Sequence, residues 1–477
     1  MAATSAPAVS DGKSVQGRIL CVTSGLAGML YSSVELARRL AAAGHCLTYA
    51  SFPDARGLVE HHGLDFLPLD PSRYEDFLEA DAGASALHKL LNLRDRRQRA
   101  ADSMGLGDFA RAVRDVNPDL ILIDGEMHEH IISASASGVP MALLNTFSSI
   151  WRRPGLPPPH CMVTPGVGWK GTRPGISMLW LALRLRKFGV ASSLKARRFG
   201  CDRISLLDHL ARTVGFDLRR ETDANQWLMP FTYRRLRVLS LHAFQFEFPH
   251  RAPEVVRYVG PMVLERRNDR PMAPNERAKL EAVLERRCEA GGGHKVIFAG
   301  FGSVFSTDRA LLERLFGVVR GRPNWELVIS LSGRVPLADL DPLPERVHAF
   351  SWVPQMDVLR HADAVVTHGG INTIDECVIS GVPMLVYCGG ETDMAGNTAR
   401  IEYHGIGIAG DRQRDSTEDI RHHVDRLLSE PGFATDLGRL RQHYLAYAED
   451  RVAERAIWEL LDQPRKDRSS PAAGGVS

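Results

Sequence analysis

Several features of other protein classes are missing from this sequence of 477 residues. It contains no run of about 18 apolar residues, the length that a membrane-spanning helix needs. Lys and Arg exceed Asp and Glu by only 59 − 57 = 2, so the overall charge gives no reason to expect a nucleic-acid partner. The seven cysteines include no CxxC pair and no zinc-ligand spacing, and we expect reduced thiols. The N-terminal 16 residues lack an apolar signal region, and we therefore expect a cytoplasmic protein.

What the sequence does contain is a globular composition, 44% hydrophobic and 24% charged, which excludes wholesale disorder. In the first part of the chain, short apolar runs alternate with helical patterns. The runs that predict buried strands cover residues 18–23, 45–51, 120–124 and 139–145. Strand–helix–strand repetition of this kind is typical of a parallel sheet that is covered on both faces.

A second alternating series begins at Lys295, after a Pro- and Gly-rich stretch at 151–175 and an irregular helical stretch at 176–230. We therefore predict two α/β domains that face each other across a cleft. The first covers residues 17–260 and carries a helical insert at about 151–235. The second covers residues 276–445, and a helix at 446–462 is expected to pack back on the first domain.

The densest chemical signal lies at 364–376. The pattern predicts a strand at 364–367, a tight turn at His368-Gly-Gly370, and a helix that opens at Asn372 and Thr373 and ends before Gly381. Free N–H groups and the positive end of the helix dipole make such a helix start an anion site. Glu376, one turn further, is better suited to accept hydrogen bonds from a ribose. A phosphate beside a ribose indicates a nucleotide.

Upstream of this turn, Trp352-Val-Pro-Gln355 suits the base of the nucleotide. Trp352 offers a flat aromatic face, and Gln355 offers an amide that can pair with the edge of a base. Taken alone, Trp352 is more often a core residue, but its place beside the phosphate turn favours stacking. Uracil and thymine stack alike, so the UDP and dTDP alternatives stay open, although Glu376 favours a ribose with both hydroxyls.

These motifs resemble the donor-binding signature of the family-one, UDP-dependent glycosyltransferases, which have the GT-B fold of two facing Rossmann-like domains. The sequence is most similar in pattern to the branch of this family that includes the bacterial macrolide and carotenoid enzymes. This resemblance rests on two segments, Phe244–Pro249 and Leu156-Pro-Pro-Pro159. The quoted residues are Trp352, Gln355, His368-Gly-Gly-Ile-Asn-Thr373, Glu376, Gly381-Val-Pro-Met384, Asp393 and Asn397.

The resemblance implies an inverting, metal-independent transfer of a sugar from a nucleotide diphosphate, with no other cofactor. Trp352 would stack on the base, and Gln355 would contact the base edge or the ribose. Glu376 would hold the ribose, and Asp393 would hold sugar hydroxyls. The diphosphate would be held by residues of the two phosphate loops: Gly302, Ser303, His368, Gly370, Asn372 and Thr373. Asn397 completes the signature.

One departure from the family affects the catalytic base. The family normally has Gly-His after the first strand, and here the His position is Met29, whose thioether cannot take a proton. Asp124 and His128 are our candidates for the catalytic role, with His130 close by, since a histidine titrates near neutral pH. The alternatives are that these histidines are ordinary residues at a helix start, or that the acceptor needs little help.

A second departure concerns the sugar. The family pair Asp-Gln is Asp393-Met394 here, and a Met can only pack. We expect a donor sugar with fewer hydroxyls at this point, or one that is held differently.

The insert carries a short apolar run at 176–183 beside Arg184, Arg186 and Lys187. This pattern suits a lid over a hydrophobic small-molecule acceptor, a peripheral membrane contact through 176–198, or an ordinary packing helix with a basic edge.

Three functions remain open on the sequence. The first is glycosyl transfer to a lipophilic hydroxyl. The second is a catalytically silent homologue that acts as a partner subunit, which the loss of the base at Met29 favours. The third is another GT-B nucleotide-sugar enzyme.

Overall fold

The computed structural model describes residues 16–267, 272–289, 293–301, 309–332, 335–340, 342–389 and 392–462. Its strands form two large parallel sheets and one short hairpin. The strands up to residue 260 are β1 (Arg18–Val22), β2 (Cys46–Ser51), β3 (Asp65–Pro68), β4 (Leu120–Asp124), β5 (Met141–Asn145), β6 (Thr222–Asp223), β7 (Thr232–Tyr233), β8 (Arg237–Ser240) and β9 (Val256–Tyr258). The later strands are β10 (Lys295–Gly300), β11 (Trp325–Ser330), β12 (Val347–Phe350), β13 (Ala364–Thr367), β14 (Met384–Val386) and β15 (Gly407–Ala409).

Helices separate nearly all of these strands. Those of the first part are α1 (Ala27–Ala42), α2 (Arg56–His61), α3 (Tyr74–Ala82), α4 (Ala86–Leu91), α5 (Leu93–Asp102), α6 (Leu106–Val116), α7 (His128–Ser135), α8 (Arg173–Arg197), α9 (Arg203–Val214) and α10 (Leu218–Glu221). Those of the second part are α11 (Pro274–Glu289), α12 (Arg309–Phe316), α13 (Gln355–Leu359), α14 (Ile371–Ser380), α15 (Met394–Tyr403), α16 (Thr417–Ser429), α17 (Pro431–Glu449) and α18 (Val452–Leu461).

The N-terminal sheet has seven strands in the order β3-β2-β1-β4-β5-β8-β9. Alternate residues of β1 serve different layers: Ile19 and Cys21 join one apolar cluster, and Leu20 and Val22 join another. This period-two division, with both faces apolar, is what a parallel sheet between two helical layers requires. The sequence therefore predicted the fold class correctly.

The C-terminal sheet has six strands in the order β12-β11-β10-β13-β14-β15. The centre of the sheet lies at β10, which pairs in parallel with β11 and β13. Val296 and Phe298 face one cluster, and Ile297 and Ala299 face the other. The carboxyl ends of β10, β13 and β14 lie side by side at one edge, the place where open α/β sheets bind ligands.

Helix α18 packs against the N-terminal sheet although it follows the C-terminal domain in the chain. Its residues Ala453, Ala456, Ile457 and Leu460 belong to the same cluster as Ile19 and Leu36. Because this contact joins the end of the chain to its beginning, it ties the two halves together. Within the described ranges, no helix is both long and apolar enough to cross a membrane.

The sequence pattern predicts a glycine-bearing loop from Ser24 to Gly28, but Gly28 is helical. It lies in the first turn of α1, which begins at Ala27, directly before Met29.

Candidate active site

The phosphate turn lies between β13 and α14, at the carboxyl edge of the C-terminal sheet. Gly369 has a φ of +87°, and a side chain there would come within 3.1 Å of Val386 Cγ1. The Asn397 Nδ2 donates to the Gly369 carbonyl at 3.1 Å and to Asp393 Oδ2 at 2.9 Å. Asn397 is fully buried, so it fixes the turn and positions Asp393 rather than facing the cleft.

His368 follows β13 directly and is buried. Burial lowers its pKa to about 4, although a hydrogen bond with the Gly300 backbone opposes this shift. The ring is therefore neutral at physiological pH and can donate only one hydrogen bond. Its Nε2 would lie 2.7 Å from a side chain at Gly370, so the glycine is needed for the ring to lie over the turn.

The N-terminus of α14 has no side-chain cap, so its first N–H groups point toward the cleft without a local acceptor. Helix α14 ends at Gly381, which adopts φ 72°, as the sequence predicted. At its start, Asn372 reaches the opposite domain: Nδ2 donates to the Gly28 carbonyl at 2.9 Å, and Oδ1 accepts from Ser32 Oγ at 3.1 Å. Asn372 thus joins the phosphate turn to the first turns of α1.

The residues that would hold the ribose surround Glu376, which is buried. The Gln355 Nε2 donates to Glu376 Oε2 at 2.6 Å and lies 3.4 Å from Thr373 Oγ1. Arg267 forms an ion pair with Glu376 and lies over the ring of Tyr31, 4.2 Å from its centroid. Arg267 could not be predicted from the sequence, because it lies in the linker between the domains and belongs to no motif.

Trp352 is half-buried and packs against the core of the C-terminal domain. Its predicted neighbours Gly302 and Ser303 lie outside the described residues, so their contacts with phosphate stay a prediction. The remaining residues of the signature, from Gln355 to Asn397, belong to α13, the turn after β13, α14 and α15; their contacts with a nucleotide sugar also stay a prediction.

Asp393 and Met394 begin α15 at the edge of the cleft. Burial raises the pKa of Asp393, and the Asn397 amide opposes that shift. Met394 is half-buried. The next turn touches the other domain, because the Gly396 N–H donates to the Pro159 carbonyl at 2.8 Å. A side chain at Gly396 would lie 2.2 Å from that oxygen, so only glycine fits there.

Opposite this edge, the N-terminal domain has an apolar pocket of about 400 Å³, part of it open to solvent. It lies at the carboxyl ends of β4, β5 and β8. Its walls are mainly aliphatic and aromatic, and the polar groups that join them are few. The lining residues are Met29, Asp124, Gly125, Glu126, Leu143, Leu144, Asn145, Phe147, Ile150, Trp151, Leu228, Thr232, Tyr233 and Val238.

Asp124, a predicted catalytic residue, lies in the wall of this pocket but is 1% exposed. Its Oδ2 accepts from Ser24 Oγ at 2.8 Å, and its Oδ1 accepts from the Glu126 N–H at 3.0 Å. Burial raises its pKa, and these hydrogen bonds oppose the shift. Asp124 therefore braces the turns after β1 and β4.

His128, the other predicted catalytic residue, does not line the pocket. Its Nδ1 lies 3.2 Å from Tyr233 Oη, and its Nε2 lies 3.2 Å from the Met229 carbonyl. Burial lowers the pKa of His128 to about 4, and that of His130 likewise. Both rings are packing residues of α7, and this placement argues against His128 as the base.

A buried ion pair connects the two domains behind the site. Arg400 of α15 donates to Glu247 Oε2 from Nε at 3.0 Å and from Nη2 at 2.7 Å, and both side chains are inaccessible to solvent. Glu247 Oε1 accepts from the Ser149 N–H at 2.5 Å. Positive charge around Glu247, from Arg400 first, lowers its pKa against the effect of burial. From the sequence, the segment Phe244–Pro249 is notable only for its resemblance to the family. In the structure it contains Glu247, which pairs with Arg400.

Two facing α/β domains, with an uncapped helix start on one and an apolar pocket on the other, are the arrangement of the GT-B fold. Comparison with known proteins agrees. The model of the erythromycin biosynthesis protein CIII-like C-terminal domain matches residues 319–456. The 4'-demethylrebeccamycin synthase of Lentzea aerocolonigenes is 28% identical over 302 residues, which are 59% of this chain and 68% of that protein.

Solved structures show the same architecture. The glycotransferase of kitacinnamycin superimposes with a TM-score of 0.65 and 25% identity, over 94% of this chain and 99% of that one. The spinosyn rhamnosyltransferase SpnG complexed with thymidine diphosphate superimposes with a TM-score of 0.53 at 19% identity, over 92% and 100%. By these comparisons, the chain is related to the GT-B glycosyltransferases of bacterial natural products. It is a nucleotide-sugar glycosyltransferase of small-molecule acceptors.

Proposed function

We propose that the enzyme moves a sugar, with inversion and without a metal, from a pyrimidine nucleotide diphosphate to a hydroxyl of a hydrophobic acceptor. The observation that carries this proposal is the arrangement of the donor signature around the start of α14, directly opposite the apolar pocket that Met29 and Asp124 line. The domain limits 17–260 and 276–445 are part of the proposal.

The diphosphate would lie at the uncapped start of α14, where the backbone N–H groups of Asn372 and Thr373 are available. The positive end of the helix dipole stabilises an anion there. The one ring N–H of neutral His368 is engaged with the Gly300 backbone, so His368 would position the turn beside the diphosphate. These groups can stabilise the departing diphosphate without a metal ion.

The ribose would take the place that Arg267 and Gln355 now share around Glu376. A ribose diol can donate two hydrogen bonds to the Glu376 carboxylate, and Trp352 would stack on the base. SpnG is related in fold and binds thymidine diphosphate, which supports dTDP as an alternative to UDP.

The sugar would contact Asp393, whose carboxylate is held by Asn397. Met394 offers no hydrogen bond at the neighbouring position. We therefore propose a deoxy-sugar in preference to a fully hydroxylated hexose, and competition between the two donor types tests it. A clear preference for UDP-glucose over all deoxy-sugar nucleotides would refute this part.

The acceptor would enter the apolar pocket. SpnG has also been solved with spinosyn aglycone, and the mainly apolar walls of the pocket suit a hydrophobic ligand. Since only a few polar groups join its walls, we propose a polyketide-, terpenoid- or aglycone-like acceptor.

Helix α8 packs on the wall of this pocket with one face and exposes the opposite face to solvent. Lys187 is buried, and its Nζ donates to the carbonyls of Gln226 and Leu228, at 2.8 and 2.7 Å. It therefore anchors α8 to the pocket wall and does not add to a basic surface, contrary to the expectation from the sequence. Burial lowers its pKa to about 8.

The opposite face of α8 carries Met178, Leu181, Leu185 and Phe188, which are 50–74% exposed. Their spacing of three, four and three residues puts them on one face of a helix. Arg184 is exposed beside them. We propose that this face contacts an anionic membrane surface. Co-sedimentation with phosphatidylglycerol vesicles is expected to fall in the variant Leu185→Ser/Phe188→Ser, and to persist in the control Leu87→Ser, which changes an exposed residue of α4.

A second candidate function has one observation in its favour. Met29 lies in the base position of the family and in the pocket wall, and its thioether cannot take a proton. A chain that lacks a base would bind nucleotide without turnover and could serve as a partner subunit.

Nucleotide release, measured with and without a panel of lipophilic alcohols, separates these functions. Release that depends on the acceptor supports transfer. Tight UDP or dTDP binding by calorimetry with no turnover supports the partner role. Release and sugar conversion without acceptor would instead indicate another GT-B enzyme. Trp352→Ala is expected to weaken nucleotide binding about tenfold or more, because base stacking contributes roughly 1–3 kcal/mol per base.

A further inference from the structure

One carboxylate at the mouth of the acceptor pocket has no role so far, that of Glu126. It lies in the turn between β4 and α7, whose backbone is fixed by two hydrogen bonds. The Glu126 N–H donates to Asp124 Oδ1, and the Glu126 carbonyl accepts from the His128 N–H, each at 3.0 Å. The turn therefore fixes the backbone from which the Glu126 side chain projects.

The position of Glu126 is where a base is needed. Glu126 lines the same pocket as Met29, the residue in the base position of the family. The charge of Asp393, at the start of α15 in the other domain, is among the causes that raise the pKa of Glu126. Glu126 therefore supplies a carboxylate in the same pocket wall as Met29.

We propose that Glu126 is the general base that deprotonates the acceptor hydroxyl, an inference that rests on the transfer reaction proposed above. Asp124 is less suited to this role because it is buried and both of its oxygens already accept hydrogen bonds. Glu126 is exposed to the cleft. Within the described residues, no cation pairs with its carboxylate, since Arg203 pairs with Glu129 instead.

The surrounding charges favour a base that works near neutral pH. Desolvation first, then Asp124 and Asp393, raise the pKa of Glu126 to about 7, while Arg203 opposes the shift. A base whose pKa lies close to the working pH combines a large deprotonated fraction with a useful affinity for the proton. Asp124, Asp393 and Arg203 face Glu126 from β4, from the start of α15 and from α9.

In the reaction, a Glu126 oxygen takes the proton of the acceptor hydroxyl while the acceptor oxygen forms a bond to the anomeric carbon. The bond between that carbon and the phosphate oxygen breaks, and the nucleoside diphosphate leaves with the electron pair. The proton stays on the Glu126 carboxyl until water removes it. Attack from the face opposite the leaving group inverts the anomeric centre.

Steady-state rates with an aliphatic alcohol and with an acidic phenol as acceptors test this assignment. Glu126→Gln is expected to lower kcat for the alcohol by about a hundredfold to ten-thousandfold, the range of general-base catalysis. The phenol, which is largely ionised without help, should lose less than tenfold. For the wild type, kcat/KM should rise with pH and level off above an apparent pKa near 7, and Glu126→Gln should lose this dependence.

Glu126→Asp should keep the pH dependence at a reduced rate, which a merely structural role would not produce. The control Asp208→Asn removes a carboxylate of α9 that pairs with Arg212 at the surface, and its rate at pH 8 should stay within about twofold of the wild type. Calorimetry should give the same UDP affinity for Glu126→Gln as for the wild type.

A Glu126→Gln rate within threefold of the wild type, or an unchanged pH dependence, would overturn the base assignment and leave the proposed function standing. If Asp124→Asn loses the pH dependence and Glu126→Gln keeps it, the base is Asp124. A wild type that turns over no acceptor would refute the proposed function, and the base assignment with it.

Discussion

Arg400→Met tests whether the buried ion pair behind the site holds the two domains together. The substitution removes a guanidinium that makes two hydrogen bonds to Glu247 Oε2, at 3.0 and 2.7 Å, and one to the Gly396 carbonyl at 3.0 Å. The Glu247 carboxylate then keeps the Ser149 N–H and the neighbouring His242, 3.5 Å away, as partners. It is left as a buried charge without its counter-charge.

The expected loss is about 3–5 kcal/mol of unfolding free energy, the usual effect of removing one partner from a buried pair. In contrast, Arg400→Met/Glu247→Leu removes both charges and should recover most of that loss. The control Arg56→Met breaks an ion pair with Glu60 in which both side chains are about half exposed, and it should cost less than about 1 kcal/mol.

Urea unfolding followed by tryptophan fluorescence measures these differences. Because two domains can unfold in separate steps, the midpoints of the transitions are compared. The affinity for UDP should fall in Arg400→Met as well, since α15 also carries Asn397, which holds Asp393. A single variant within about 1 kcal/mol of the wild type, or a double variant as unstable as the single one, would refute this reasoning.

Two further predictions concern the base and the buried histidines. Met29→His, introduced into Glu126→Gln, is expected to raise kcat for the alcohol at least tenfold above that of Glu126→Gln, because residue 29 lines the same pocket. An unchanged kcat would mean that residue 29 lies away from the acceptor hydroxyl. His128 and His130 have a pKa lowered from 6.5 to about 4, so the unfolded chain binds more protons between these values, and stability should decrease as pH falls from about 6.5 to 4. In His128→Phe, the decrease in urea midpoint over that range should be smaller, and an unchanged decrease would show that the His128 ring does not cause it.

Strands and the nucleotide turn could be predicted because their signals are local. The predicted runs at 120–124 and 364–367 coincide with β4 and β13, since a strand that is buried on both faces is continuously apolar. Edge strands were missed for the opposite reason. Asp65–Pro68 is only partly buried, and its polar and proline residues do not form an apolar run.

The groups that cross the cleft could not be predicted, because they depend on how two distant segments meet. Arg267 and Glu376 are more than 100 residues apart, and neither residue indicates the other. The same holds for Glu247 and Arg400. His128 has the titration chemistry of a base, but the sequence alone cannot tell whether a helix residue points into a pocket or behind it.

The cleft between the donor signature and the apolar pocket is where we propose that this enzyme joins a sugar to a hydrophobic acceptor. Mass spectrometry of reactions that contain nucleotide sugar and lipophilic alcohols, with nucleotide release quantified in the same samples, tests this function directly. We predict one glycosylated acceptor for each nucleotide released, and loss of both signals in Trp352→Ala. Nucleotide release without a glycosylated acceptor, or a glycosylated product that persists unchanged in Trp352→Ala, would contradict the proposed function.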